Sequence, residues 1–419
     1  MHEQIDVIEL LKELIAIDSK NPFLTTGDGA VGIGNEEKIA NYLEKVLNKA
    51  GFRVEQQLVQ EAGITKDGIN IPKRYNLLAE KGAGNISLLF LGHMDTVDEK
   101  KGWETNPLVP VEKEDKIYGL GANDMKAGLA TIIAATNDVN PDNYKIKVAF
   151  VIDEEYWSFG AVKLLKSKFI DDVKAAIVPE VGDFQQKTSN KSIILGRMGR
   201  VEYEFTITGV ACHGAQAREN QSAVNAVHES IKLQQEVIKY CDKCEREFIE
   251  GDISIKNSAY ISYHQGGDPI LSVPDSASFI LDRSFIKGEI MEDEIKQLKK
   301  LTENARKNGV LDPRTKVEIT ERKRPTPACK PYFIQPDHPF VKFITEEVEK
   351  EFGGYEYGIG WSVADENRIA EHNIPTTVLG PIGENAHAPN EWVDVESVKK
   401  LQNVYMQIVK KFLEYNSGI

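Results

Sequence analysis

Short, almost wholly apolar runs alternate with helical patterns through the first half of the chain, and this alternation restricts the fold more than any other feature. The runs are Asn76–Ala79, Ile86–Leu91, Ile146–Ile152 and Ala175–Val178. Helical patterns at Met125–Thr136 and Ala161–Ser167 separate the later runs. A strand without a polar face must be covered on both sides, which is typical of parallel sheets flanked by helices. The sequence therefore predicts an α/β fold with a largely parallel sheet.

The pattern changes in the middle of the chain. Val201–Thr208 alternates apolar and polar residues, as in a sheet with one face open to water. We expect a long helix to follow, as far as about Glu250, and then further strands, a helix and a proline-rich stretch. After this stretch, helices and a strand of the fully apolar kind are expected again. The sequence predicts one mainly parallel α/β domain, residues 1–197 and 329–419, interrupted by an α+β module of residues 198–328.

Composition and charge exclude several classes of protein. The 419 residues carry 65 acidic and 51 basic side chains, a formal charge of −14, and this surplus argues against binding to nucleic-acid phosphates. No apolar run approaches the roughly 20 residues that span a bilayer. The first ten residues lack the basic and apolar regions of a secretory signal. We therefore expect a cytoplasmic protein that binds neither nucleic acid nor membrane.

The four cysteines are too few for a disulfide framework in a chain of this length. Cys241 and Cys244 form a C-x-x-C pair, which is compatible with half a zinc site or with a redox motif. No second pair lies nearby, and the pair falls inside the expected long helix. We favour the interpretation that these are two helical thiols without a shared role.

Side chains that can bind metal ions follow the predicted strands at several separate points of the chain. Each lies at a strand end or at a loop-to-helix junction: His93, Asp95, Asp124, Glu154, Glu155, Glu180 and His387. In parallel α/β sheets, sites form in the crevice beyond the carboxyl ends of the strands, so we expect these residues to converge. Asp183 lies three residues after Glu180 and is the alternative ligand there.

The charges of these groups suit two divalent ions. The carboxylates of Asp124, Glu155 and Glu180 offset three of the four positive charges. His93 and His387 bind as neutral imidazoles. The remaining charge leaves enough Lewis acidity to activate a water that bridges the ions and to polarise a carbonyl. A carboxylate must hold the ions about 3.5–4 Å apart, and Asp124 is the natural candidate. Histidine and carboxylate ligands favour zinc, with cobalt or manganese as alternatives.

Together these segments resemble the M20 family of metallopeptidases and deacylases. The segments that carry the resemblance, in the family's order, are Gly92–Val97, Gly121–Gly128, Asp153–Glu155 and Ala386–Glu391. The family includes acetylornithine deacetylase, succinyl-diaminopimelate desuccinylase, aminoacylases and glutamate carboxypeptidase. An H-x-D motif alone is weak, but the full set in order is specific, and the similarity covers essentially the whole chain. It implies a metallohydrolase domain with an inserted lid or dimerisation domain.

The resemblance also implies a role for each residue of the site. One ion is bound by His93 and Glu180. The other is bound by Glu155 and His387, and Asp124 bridges the two.

Three further features of the catalytic domain are implied in the same way. Asp95 orients His93 through its ring N–H, a common arrangement for a histidine bound to metal. Glu154 is the general base. The peptide bond between Asp124 and Met125 is expected to be cis.

In the inserted module, the resemblance implies that His213 stabilises the oxyanion, often from the neighbouring subunit. Downstream the chain departs from the family's pattern, because a Pro and a Gly are missing before Asn225 and Ser272 stands in place of an Asn. Asn225 and Arg283 are the candidates for substrate binding, Arg283 by gripping a carboxylate. We also expect a homodimer formed through exposed edges of strands such as Val201–Thr208.

These features predict hydrolysis of an amide bond in a small N-acyl amino acid or short peptide, by a metal-bridging water with Glu154 as the base. Two alternatives stay open: a co-catalytic aminopeptidase or dipeptidase acting on free peptides, and a non-catalytic binding homologue. Retention of Glu154 beside a full ligand set argues against the second, because a binding protein needs no base. Asp365 either falls near a segment that in the family lines the substrate pocket, or caps a helix.

Overall fold

Two units, the second inserted into the first, make up the chain in the computed structural model. One unit is Met1–Arg197 with Phe333–Ile419, and the other is Met198–Tyr332. The second unit starts at the predicted residue and ends four residues beyond the predicted boundary at 328. The structure describes residues 4–24, 36–64, 70–181, 192–217, 223–267 and 271–416.

The helices and strands have the following bounds. The chain begins with α1 (Val7–Ile15), α2 (Glu37–Lys49), β1 (Arg53–Gln60), β2 (Gly63–Ile64), β3 (Asn70–Ile71), β4 (Arg74–Gly82), β5 (Ser87–His93), β6 (Val111–Lys113), β7 (Lys116–Tyr118), α3 (Ala127–Thr136), β8 (Lys145–Val151), α4 (Phe159–Leu164), β9 (Val173–Val178) and β10 (Ser192–Arg197). The inserted unit contains β11 (Gly199–Thr208), α5 (Ala226–Lys243), β12 (Glu247–Glu250), β13 (Ile253–Lys256), β14 (Ser258–Gly266), β15 (Ser276–Phe285), α6 (Met291–Lys307) and β16 (Lys316–Glu321). The remainder is β17 (Tyr332–Phe333), α7 (Pro339–Phe352), β18 (Glu356–Gly360), α8 (Asp365–Ala370), β19 (Thr376–Val378), β20 (Gly383–Glu384), β21 (Trp392–Asp394) and α9 (Val395–Asn416).

The main sheet of the larger unit is parallel at its centre and mixed at its sides. Nine of the described strands form it, in the order β1-β4-β8-β5-β9-β19-β10-β17, with β18 beside β10. Strands β8, β5, β9 and β19 run parallel to their neighbours in this series. Strand β4 is antiparallel to both β1 and β8. The predicted α/β fold with a mainly parallel sheet is confirmed. The antiparallel strands at the sides of the sheet were not predicted.

Both faces of the central strands are covered by helices. Leu89 and Leu91 of β5 belong to one buried cluster with Leu164 of α4 and Ile369 of α8. Gly92 points to the opposite face, where a Cβ would lie 2.6 Å from Leu129 of α3. Burial of each such leucine contributes about 1.5–3 kcal/mol. This two-sided burial is why the strands read as continuous apolar runs.

The inserted unit is an antiparallel sheet with two helices on one face. The strand order is β14-β15-β11-β16. Phe205 and Phe279 stack with ring centroids 4.4 Å apart and share a buried cluster with Leu233 of α5 and Leu298 of α6.

Two expectations for this unit are wrong. Val201–Thr208 has no exposed edge, because β11 pairs with β15 on one side and β16 on the other. The long helix does not reach Glu250: α5 ends at Lys243, and β12 and β13 pair as a hairpin directly after it. Gly251, at the turn, has a φ of 58°, a conformation that glycine adopts without steric cost.

Among the residues that the structure describes, no helix combines the length and the apolar character needed to cross a membrane.

Candidate metal centre

The predicted ligand residues converge beyond the carboxyl ends of neighbouring strands. His93 is the last residue of β5, Glu155 follows β8, and Glu180 lies two residues after β9. Asp124 is carried by the turn that precedes α3, and His387 by the turn that follows β20. Because β5, β8 and β9 are parallel neighbours, their ends meet at one edge of the sheet.

The side chains form two groups that share Asp124. In the first, His93 Nε2 lies 3.0 Å from Asp124 Oδ1 and 3.1 Å from Glu180 Oε2. In the second, His387 Nε2 lies 3.2 Å from Asp124 Oδ2 and 2.9 Å from Glu155 Oε2. Within each group the possible ligand atoms lie within 4.8 Å of one another. Each oxygen of Asp124 therefore faces a different group, as a bridging carboxylate must.

The backbone around Asp124 is shaped by its neighbours. Gly121 has a φ of 74°, and a Cβ at this position would lie 2.6 Å from the side chain of Thr96. The close approach and the positive φ both require glycine here. The peptide bond between Asp124 and Met125 is cis, as the resemblance implies.

Glu391 holds the same turn from a distant part of the chain. Its carboxylate accepts hydrogen bonds from the backbone N–H groups of Gly121, Asn123 and Asp124, at 2.7, 2.8 and 2.9 Å. Sequence reasoning placed Glu391 in a motif but gave it no role. A buried carboxylate that satisfies three backbone donors explains why an acidic residue is needed there.

Asp95 contacts both the ring of His93 and the turn that carries Glu154 and Glu155. His93 Nδ1 lies 2.9 Å from the Asp95 carbonyl oxygen and 3.6 Å from its carboxylate. The same carboxylate accepts hydrogen bonds from the backbone N–H groups of Glu154, at 3.2 Å, and Glu155, at 3.3 Å. The orientation of His93 was expected from the sequence, whereas the contact with the Glu154–Glu155 turn was not.

Behind Asp95 lies a buried polar network that sequence reasoning missed. The amide of Asn21 donates to Asp95 at 2.8 Å and to Asp153 at 3.0 Å. Arg74 donates to Asp153 at 3.1 Å and, through Nε, to Glu36 at 2.9 Å. These contacts fix the turn that carries Glu154 and Glu155, because Asp153 is the residue before it.

The Arg74 guanidinium offsets two buried carboxylates, so its loss should be costly. We expect Arg74→Met to lower the free energy of unfolding by about 3–5 kcal/mol, because Glu36 and Asp153 stay buried without a counter-charge. The measurement is denaturant unfolding. Arg53, whose side chain is 82% exposed and pairs with Glu80, is the matched control, and Arg53→Met should cost about 0–1 kcal/mol. Equal losses in the two variants would contradict this account of the network.

The carboxylates stabilise positive charge at both histidines. Burial disfavours the charged imidazole of His93, but hydrogen bonds to Asp124 and the adjacent carboxylates outweigh burial and raise its pKa. Burial likewise opposes ionisation of His387, and hydrogen bonds to Asp124 and Glu155 raise its pKa to about 11. The site is thus a strong cation-binding environment, and metal binding there would displace these protons.

Burial and neighbouring charges also shift the pKa values of the acidic side chains. Burial, together with the charge of Asp124, raises the pKa of Glu155 and of Glu180 to about 7. Burial also raises the pKa of Glu154, and nearby carboxylates add to the effect. Burial opposes ionisation of Asp124, but its contacts with the two histidines lower its pKa. Divalent cations would reduce the repulsion between these carboxylates.

The donor set fits two divalent ions. Each group offers one imidazole nitrogen and carboxylate oxygens, the ligands found in zinc sites and in other transition-metal sites. Glu155 Oε1 is buried and accepts no hydrogen bond from the described part of the chain. Such an orphaned acceptor needs a partner, and a cation supplies one. Asp183, the alternative to Glu180, lies outside the described residues.

The other predicted site residues lie in the inserted unit. His213 precedes a short 3₁₀ turn and accepts a hydrogen bond from the Ala215 N–H at 3.2 Å. Asn225 is the N-cap of α5. Arg283 is buried and forms ion pairs with Glu289 and Glu294, at 2.7 and 3.4 Å. These contacts account for Asn225 and Arg283 structurally, and substrate binding by either stays a prediction.

The C-x-x-C pair lies at the end of α5. Both thiols are free and half-buried. Burial raises the pKa of Cys241 to about 11, which disfavours the reactive thiolate. Neither thiol belongs to a group of metal-ligating side chains within the residues that the structure describes.

A model of one protein family matches most of the chain. Its description is peptidase family M20/M25/M40, and it covers residues 89–411. That range includes every member of the two ligand groups. The chain belongs to peptidase family M20/M25/M40. It is a metal-dependent hydrolase of this family, and the family, fold class and enzyme class predicted from the sequence are confirmed.

Named relatives of the M20 chain align over nearly its full length. It is 26% identical over 420 residues to an acetylornithine deacetylase of Photorhabdus laumondii, which covers 98% of each chain. It is also 26% identical over 416 residues to a succinyl-diaminopimelate desuccinylase of a Sulfurovum species, covering 98% of this chain and 100% of the relative.

Solved structures show the same fold. A tripeptidase from Staphylococcus aureus superposes with a TM-score of 0.71 at 20% identity, covering 97% of this M20 chain and 99% of that one. A dinuclear metal-binding peptidase of the M20 family from Bacillus subtilis gives a TM-score of 0.66 at 14% identity, covering 97% and 98%. At these identities the likeness shows the fold of the chain.

Proposed function

We propose that this M20 protein hydrolyses the amide bond of a small N-acyl amino acid or short peptide at a centre of two divalent ions. The observation that carries the proposal is the position of Asp124, whose two oxygens face separate imidazoles. The side chains that would hold the ions are His93, Asp124, Glu155, Glu180 and His387. Zinc is the ion that this donor set favours, with cobalt or manganese as alternatives.

Glu154 is the proposed general base. It shares a turn with Glu155, and its backbone is held by Asp95, so its carboxylate is positioned beside the ligands without being one of them. The two ions, when bound, would supply Lewis-acid activation of water and charge for the developing oxyanion. Glu154 would accept the proton of the attacking water and deliver it to the leaving amine.

A substrate panel tests the proposal. Metal-free protein would be reloaded with zinc, cobalt or manganese and assayed against N-acetyl and N-succinyl amino acids, and against di- and tripeptides with free amines. Metal-dependent release of the amine from N-acyl substrates supports the proposal, and cleavage of free peptides alone indicates the aminopeptidase or dipeptidase alternative. Tight metal binding with no turnover of either kind of substrate would contradict the proposed substrate class. A cytoplasmic location stays a prediction from the sequence.

A homodimer is the proposed assembly, through a different strand from the one first expected. Strand β14 pairs only with β15 within the described chain, and Tyr260 and Tyr263 on it are exposed. On the neighbouring helix α5, Ile231 and Ile238 are exposed on one stripe, two turns apart. A free strand edge beside exposed apolar side chains is typical of an association surface. Sedimentation measurements would detect the dimer.

His213 lies in the inserted unit, whereas the metal-ligating groups lie in the other unit. If it contacts the oxyanion, His213→Ala should lower kcat by about 10²–10³-fold with less effect on KM, because the contact strengthens in the transition state. Metal content should not change. The kinetic constants and elemental analysis of the variant are the measurements.

Mixing variants separates the two ways in which His213 can act. If the partner subunit supplies it, inactive His213→Ala mixed with inactive Glu154→Gln should regain part of the activity, because one site of each hybrid dimer has both groups. Hybrid dimers that form and stay inactive would exclude that arrangement. A wild-type kcat for His213→Ala would remove the residue from the reaction.

A further inference from the structure

The segment that follows α1 pairs with the loop that follows β5. Lys20 and Thr96 form a parallel bridge. The Thr96 N–H donates to the Ser19 carbonyl oxygen at 3.1 Å, and the Asn21 N–H donates to the Thr96 carbonyl oxygen at 2.8 Å. Thr96 is the residue after Asp95, so this backbone pairing holds the fully buried Asn21 side chain against the Asp95 carboxylate.

Every polar group of the Asn21 side chain forms a hydrogen bond in this position. Its Nδ2 donates to Asp95 Oδ2 at 2.8 Å and to Asp153 Oδ1 at 3.0 Å. Its Oδ1 accepts a hydrogen bond from the Phe23 N–H at 3.0 Å. A reversed amide would place its oxygen against both carboxylates, so the orientation of the amide is fixed. One neutral side chain therefore holds two buried carboxylates together without adding a charge.

These two carboxylates hold both ends of the turn that carries Glu154 and Glu155. Asp95 accepts hydrogen bonds from the N–H groups of Glu154 and Glu155 at the start of the turn. Asp153 accepts a hydrogen bond from the Trp157 N–H, at 3.2 Å, at the end of the turn. Through Asp95 and Asp153, the amide of Asn21 is therefore connected to the whole length of the turn.

The same segment contacts the turn a second time through Phe23. The Phe23 ring stacks on the ring of Tyr156, with centroids 5.8 Å apart and an angle of 13° between the planes. The Arg74 guanidinium, which pairs with Asp153, lies 5.2 Å from the centroid of the Phe23 ring. The segment after α1 thus contacts the residue before the Glu154–Glu155 pair and the residue after it.

We propose that Asn21 is a positioning residue of the metal centre, which holds the Glu154–Glu155 turn in a fixed place relative to His93. Asp95 contacts the His93 ring as well as the turn, so a displacement of Asp95 changes both. Asn21 acts through Asp95 and is not a member of the metal-ligating groups. The inference rests on the proposed centre of two ions with Glu154 as its base.

Asn21→Leu tests the proposal, because leucine has the same number and branching of side-chain heavy atoms but no donor. At saturating zinc, kcat should fall about 10- to 100-fold, the usual cost of losing an outer partner of a metal ligand, and KM should change less than about threefold. The affinity for zinc, measured by competition with a chelating dye, should fall over the same range. Asn21→Ser keeps one O–H donor and should lie between the wild type and Asn21→Leu in both measurements.

Asn257→Leu is the matched control. Asn257 is buried, and its Nδ2 donates to the Cys244 carbonyl oxygen at 2.9 Å and to the Glu289 carboxylate at 2.8 Å. Its Oδ1 accepts a hydrogen bond from the Arg246 N–H at 3.0 Å. Asn257 lies in the inserted unit, whereas the metal-ligating groups of the described chain lie in the other unit. Both leucine variants should melt at a lower temperature, but only Asn21→Leu should change kcat and zinc affinity.

The zinc measurement keeps this inference separate from the proposed function. If the wild type binds zinc but cleaves no amide, weaker zinc binding by Asn21→Leu still supports the role of Asn21. A folded Asn21→Leu with the zinc affinity of the wild type would overturn the inference, whatever the turnover assays show. Equal losses of zinc affinity in Asn21→Leu and Asn257→Leu would also overturn it, because they would indicate a general loss of packing. If Asn21→Leu does not fold, the same criteria apply to Asn21→Ser.

Discussion

Replacement of Glu154 by Gln should lower kcat by about 10²–10⁴-fold while both metal ions stay bound. Gln keeps the size and polarity of the side chain but cannot accept the proton of the attacking water. The ligand groups contain Glu155 and not Glu154, so metal binding should be unaffected. Steady-state kinetics on the best substrate of the panel and elemental analysis of the same preparation are the measurements.

Glu155→Gln is the matched control for this experiment, because the two residues are adjacent and share contacts with Asp95. It should weaken binding of one ion. If Glu154→Gln loses metal and its metal-loaded fraction still turns over at the wild-type rate, the roles of the two residues are reversed.

Asp124→Ala should abolish activity by removing both ions. Its carboxylate is the side chain that the two groups have in common. Each group would keep one imidazole and one carboxylate, too few to hold an ion tightly in a three-ligand catalytic site. Turnover should fall by at least about 10⁴-fold, because without metal no activated water is supplied to the base.

Elemental analysis after gel filtration checks this result directly. Glu180→Ala is the informative comparison, since it touches only the first group and should cost one ion out of two. Circular dichroism would show that both variants are folded. Full occupancy in Asp124→Ala would disprove its role as a bridging ligand.

The sequence was sufficient to predict the larger unit because its signals are local. Fully buried parallel strands must be apolar throughout, and ligands for a site at their carboxyl ends must directly follow them. His93, Glu155 and Glu180 each lie at or just beyond the carboxyl end of such a strand. The same reasoning does not detect polar strands: Arg53–Gln60 is half-exposed and was not predicted, although it pairs with β4 from Arg53 to Leu58 and again at Gln60.

The missed features depend on contacts between distant segments. Val201–Thr208 was recognised as a strand, but alternation reveals only which face is buried and not which strands lie on either side. Asn21 and Asp153 are 132 residues apart, and Glu391 is 267 residues from Asp124, so no local pattern connects them. The burial of Arg74 likewise became visible only with its partners in place.

Asp95 holds the ring of His93 through its backbone carbonyl oxygen and the backbone of the Glu154–Glu155 turn through its carboxylate, and this double contact has a consequence for how such a site evolves. Metal affinity and base position are inherited together, because Asp95 cannot shift toward one of them without moving relative to the other. Substitutions that adapt this centre to a new ion therefore meet selection on the reaction rate at the same time. Divergence among substrates is left to positions outside this linked pair.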